Sequence, residues 1–138
     1  MNQNPAWLRR YAQLVTLVTF GLLFAGGLVT STGSGLAVPD YPTTWGRSMF
    51  SFPYEQWVAN IRFEHVHRLI ATSVGLLTFG LCVSLWIAEP RAWLRKLGVV
   101  ALVLVVVQGA MGGLTVIYGL PLPVSVLHGC IAQGFFCL

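Results

Sequence analysis

Three apolar runs of roughly 20 residues each, at about 11–30, 65–87 and 97–118, constrain this chain more than any other feature. A helix rises about 1.5 Å per residue, so each run is long enough to cross a hydrocarbon core about 30 Å thick. Lipid offers the backbone no hydrogen-bond partner, which leaves helices as the form these runs take. A fourth apolar run begins near Leu122 and continues to Leu138. Only 9% of the 138 residues are charged and 56% are hydrophobic, too little charge to cover a soluble domain. The pattern predicts an all-α integral membrane protein. It forms one four-helix transmembrane bundle over 1–138, with helices at about 11–30, 65–87, 97–118 and 122–138 and a long loop over 31–63. Helix 4 is shorter than a full span and lacks a basic flank, so it reads as truncated.

The few charges are clustered. Arg9 and Arg10 precede the first run, and Arg91, Arg95 and Lys96 separate the second from the third. Loop 31–63 carries only Arg47 and Arg62, offset by Asp40 and Glu55. The positive-inside rule then places the N-terminus in the cytoplasm and the long loop outside a plasma membrane. A net charge of +4 arising from juxtamembrane anchors excludes nucleic-acid binding. The first run is too long, and its end too poor a cleavage site, for a signal peptide. Cys82, Cys130 and Cys137 all lie in apolar runs, form no CxxC pair, and read as small hydrophobes. The segment "STGSGLAVPDYPTTWG" reads as an ordered, turn-rich cap. In "YEQWVANIRF", Tyr54, Trp57, Val58, Ile61 and Phe63 form an apolar stripe that suits a segment lying flat at the outer interface.

The second run opens on "RFEHVHRLIA", which places Glu64, His65, His67 and Arg68 where charge is costly. Helices 2 and 4 cross in the same direction, so His67 and His128 fall at similar depth, within roughly 10 Å of the outer helix ends. Two imidazoles at one depth of a bundle suit bis-histidine haem ligation. A metal held by side chains alone would want three or more ligands. Glu64, His65, His67 and His128 supply the chemistry, but His65 points away from the face that Glu64 and His67 share. Arg68 and Arg62 lie where haem propionates would sit. The same residues also have a purely structural reading. Glu64, His65 and Arg68 suit a helix start at the interface, with Glu64 favoured by the helix dipole, and His128 suits a bond to a neighbouring helix. His65 fits the interfacial role better than that of a ligand. Gly26, Gly27, Gly75, Gly80, Gly109, Gly112 and Gly113 read as close-approach positions between helices, and Met111 as core.

Three segments together resemble the heme A synthase family of cytochrome oxidase assembly: "GGLVTSTGSGLAVPDYPTTWG", "EHVHR" and "HGCIAQGFF". The resemblance implies the N-terminal four-helix half of an eight-helix, pseudo-symmetric fold. It also implies oxidation of the C8 methyl of heme O to the formyl of heme A, by successive hydroxylations. His67 and His128 match the histidine pair holding the haem that is oxidised, with Arg68 beside it, and Glu64 matches the family's essential acidic residue. Heme b is expected in the absent C-terminal half. The implied partners are heme O, heme O synthase, an electron acceptor in the membrane and the lipid bilayer, and a half-length chain is able to form a homo-oligomer. Some members carry a loop cysteine pair at positions matching Val38 and Thr44, so this chain resembles the cysteine-less subgroup. The rival expectations are a four-helix membrane cytochrome b and a transporter fragment.

Overall fold

Residues 5–138 are described by a computed structural model with four helices: α1 (Ala6–Ser31), α2 (Ala59–Ala88), α3 (Ala92–Ile117) and α4 (Leu122–Phe136). Among the described residues there is no strand, only an isolated bridge between Thr44 and Arg47. The first three helices run 26, 30 and 26 residues and are apolar enough to cross a membrane. This is an all-helical membrane protein. Helix α4 has 15 residues and so extends only about 22 Å.

The helices begin earlier than their apolar runs. Helix α1 starts at Ala6 and α2 at Ala59, upstream of the expected 11 and 65. Hydropathy marks the part of a helix that lipid surrounds, whereas backbone hydrogen bonding continues through polar residues such as Arg9, Asn60 and Arg62. The stripe expected in "YEQWVANIRF" is consequently split. Tyr54–Gln56 is a 3-10 turn, Trp57 and Val58 are non-helical, and Ile61 and Phe63 belong to α2.

Each helix packs on its sequence neighbour, and α1 also meets α4, which closes the bundle. At one end a three-residue turn joins α2 to α3, where Arg91 forks onto the buried Glu89 at 2.7 and 3.0 Å. At the other end α1 and α3 terminate alike. Ser34 N–H bonds the Val29 carbonyl and Gly33 N–H the Thr30 carbonyl, and Leu120 and Gly119 repeat this on Thr115 and Val116. Both are Schellman caps, and both place a glycine at positive φ, 65° and 68°, where a side chain would be strained.

The intervening loop is built from short-range bonds. Thr44 and Arg47 exchange backbone hydrogen bonds across Trp45 and Gly46, whose φ of 52° and 73° define a type I′ turn. The N–H groups of Trp45 and Gly46 both donate to the Asp40 carboxylate, at 2.7 and 2.8 Å, as does the Thr43 hydroxyl. Burial alone would raise the Asp40 pKa, but these donors outweigh it and hold the carboxyl below its ordinary value.

Candidate functional site at the loop end of the bundle

One turn of α2, from Glu64 to Arg68, faces three surroundings. Glu64 and Arg68 lie four residues apart on one face, buried, with the guanidinium on the carboxylate at 2.5 Å. Arg68 Nη1 donates to the carbonyls of Asp40 (2.7 Å) and Thr43 (2.9 Å), and Nη2 to that of Val38 (3.0 Å). The other Glu64 oxygen accepts from Val38 N–H at 2.8 Å. Two buried charges are tolerable because each is paired and further hydrogen-bonded. The pair latches loop residues 38–43 onto the helix.

His65 faces the second half of the loop. It is fully buried, with Nδ1 3.2 Å from the Thr44 hydroxyl. Its ring centroid lies 4.6 Å from that of Trp57 and 5.2 Å from that of Phe52. The interfacial position expected for His65 is therefore replaced by a core position beneath the loop. Helical spacing shows which way a residue points, but not that a loop folds over that face. Val38 and Thr44 are likewise fully buried and serve as anchor points of this packing.

His67 takes the third direction, into the bundle. A Cβ on Gly26 of α1 would lie 3.1 Å from its Cε1, so the ring occupies space that only glycine leaves. His128 of α4 lies beside Gly112 of α3, where an added Cβ would meet its ring at an ordinary 3.6 Å. All four helices thus meet in one layer of two histidines and two glycines. The match of depth holds with the revised helix starts, since His67 is the ninth residue of α2 and His128 the seventh of α4.

The donor chemistry of this layer fits a haem. Nδ1 of His67 and of His128 is buried without a close hydrogen-bond partner, with the Leu22 backbone approaching the His67 ring, and His65 Nε2, Thr78 Oγ1, Gln108 Nε2 and Ser125 Oγ are likewise unpartnered. Among the described residues, no three His, Cys, Asp or Glu side chains gather to hold a bare metal ion. Arg68, expected near propionates, has its terminal N–H groups on Glu64 and loop carbonyls instead. A cavity of about 570 Å³ lies at the other end of the bundle, among Leu8, Thr19, Thr78, Leu85 and Phe136.

Several glycines receive side chains rather than helix backbones. Gly80 is covered by Tyr11 and Gly113 by Tyr41, Gly98 meets both Leu85 and the Cys82 backbone of α2, and Gly27 and Gly75 have nothing within 4 Å. Cys82 is buried, and Cys130 and Cys137 are exposed. Hydropathy alone does not distinguish the three.

No family model matches the chain, and no solved structure does. Curated proteins do. The Heme A synthase of Geobacillus kaustophilus is 32% identical over 127 residues, covering 88% of this chain and 38% of that protein. The chain is a relative of the heme A synthases. The Heme A synthases of Methylobacterium radiotolerans and Shouchella clausii are 29% and 28% identical, over 94% and 88% of this chain. The chain spans about two fifths of the length of these heme A synthases, 38–40% in the three cases.

Proposed function

We propose that this chain is the substrate-haem portion of a membrane oxidoreductase of the heme A synthase type. The reaction oxidises the C8 methyl of heme O to the formyl of heme A. The observation that carries this reading is the histidine layer. His67 and His128 come from parallel helices, sit against glycines of the other two, and keep a buried, unpartnered nitrogen each. Ionisable side chains inside a membrane bundle are costly and mark binding or reaction sites, which supports a ligand role for this pair. Similarity to proteins named Heme A synthase over most of the chain supports the assignment.

In this reading His67 and His128 would hold the haem, which would supply iron redox chemistry when bound. The protein's own contribution is position and charge. Glu64 lies one helical turn from His67, paired with Arg68 and held by Val38 N–H. A fixed carboxylate there stabilises positive charge developing at the haem edge, or accepts a proton as the methyl is oxidised. Charge distribution supports a cytoplasmic N-terminus and a histidine layer towards the outer face. The partners are then a heme O source and a membrane electron acceptor.

The test is product analysis. After coexpression with a source of heme O, pyridine hemochrome spectra of the protein together with the remainder of its family architecture should show heme A. Haem bound without heme A formation points to an electron-transfer cytochrome. Colourless protein defeats both haem readings and favours a transport role.

A further inference from the structure

Tyr41 is the loop side chain that reaches across to α3. Its hydroxyl donates to the Gly109 carbonyl at 3.1 Å, and its ring lies over Gly113, whose added Cβ would meet Cδ1 and Cε1 at 2.6 Å. The Arg68 guanidinium sits 5.9 Å from the ring centroid, within cation–π range. Gly109 and Gly113 are one turn apart, so together they form a shelf shaped to an aromatic ring. Gly112, against which His128 is seated, lies in the same turn of α3. Arg68 is one residue from His67. One side chain therefore spans from the α2 turn that carries one histidine to the α3 turn that supports the other.

We propose that Tyr41 is a positioning residue: a strut that fixes the spacing of α2 and α3 and thereby the separation of His67 and His128. This rests on the haem reading above only for its consequence, not for the strut itself. A flat macrocycle ligated from both sides tolerates little error in ligand separation, since supporting contacts behind metal ligands carry much of the affinity. The loop is then part of the site's framework as well as its cover. Glu64 and Arg68 hold the loop to α2, and Tyr41 holds it to α3.

The test uses the whole chain in nanodiscs, with two independent readouts. Spin labels on Asn60→Cys and Ile117→Cys, with the native cysteines replaced by serine, report the α2–α3 distance without haem. Haem titration and the low-spin optical and paramagnetic spectra report ligation. Tyr41→Ala should broaden and lengthen the distance distribution and weaken haem retention by roughly tenfold. It should also convert low-spin haem to high-spin. Gly113→Ala should reproduce this by expelling the ring, and adding it to Tyr41→Ala should do no further harm. Tyr41→Phe keeps the ring on its shelf and should retain the wild-type distance. Gly75→Ala, which meets nothing, should match wild type in both readouts. An unchanged distance in Tyr41→Ala overturns the strut, as does Gly113→Ala adding its full effect to that variant. A changed distance with an unchanged haem spectrum overturns the positioning role. Wild-type protein that binds no haem defeats the function proposed above, while the distances still decide the strut.

Discussion

At the scale of single residues, the two histidine seats are unequal. An alanine methyl at Gly26 would press on His67 at 3.1 Å, whereas one at Gly112 would meet His128 at an ordinary 3.6 Å. Gly26→Ala should therefore displace His67 and alter the haem spectrum. Gly112→Ala should leave the spectrum intact while gaining up to about 1 kcal/mol of helix propensity. Titrating haem into both variants and recording optical spectra checks the contrast. Arg68 gives a second prediction. Replacing it by glutamine strands the buried Glu64 carboxylate and should cost about 3–5 kcal/mol, measured by denaturant unfolding in detergent. Arg68→Lys keeps the charge but has three donors for four acceptors, so it should recover only part of that loss. Residue identity announced His67 and His128, because imidazole in an apolar run is costly. It could not announce that Arg68 serves loop carbonyls, since a backbone acceptor leaves no mark in the sequence.

At the scale of elements, the loop holds the surprises and the helices do not. Three spans were legible because lipid imposes length and apolarity together. Their starts were not, because helical hydrogen bonding outruns hydropathy at Ala6 and Ala59. The loop's turn character was legible from its glycines and prolines, but its attachment to α2 through Glu64, His65 and Arg68 was hidden. That attachment depends on residues 21 to 30 positions apart, from the pair Thr44 and His65 to the pair Val38 and Arg68. Within the loop, Asp40 ionises below its ordinary value because three donors prefer its charged form. Such a group contributes stability that is fully present above the ordinary carboxylate pKa and is lost as the pH falls through the lowered one. Acidification should thus loosen the Trp45–Gly46 turn before the helices unfold. Tryptophan fluorescence should follow the change, and Asp40→Asn should remove the acid transition at the expense of a looser turn at neutral pH.

At the scale of the molecule, the bundle is divided. The loop end carries the histidines and the buried Glu64–Arg68 latch, and the opposite end most of the basic residues, Arg9, Arg10, Arg91, Arg95 and Lys96. The opposite end carries a 570 Å³ apolar cavity and a buried Glu89 held by Arg91. The arrangement predicts sidedness. In intact cells a membrane-impermeant maleimide should label Ser48→Cys, with Lys96→Cys reacting only after permeabilisation, and the reverse pattern would invert the proposed topology. A final consequence follows from how the latch is made. Arg68 grips three loop carbonyls and Glu64 one loop N–H. Main-chain groups persist under nearly every substitution, so the clamp is indifferent to most of the lettering it holds. The grip on α2 is thereby insensitive to which side chains the gripped positions carry, whereas the loop's other attachments, through Asp40, Tyr41 and Thr44, depend on theirs. Proline at position 38, which removes the one N–H that Glu64 needs, is the substitution this insensitivity does not cover.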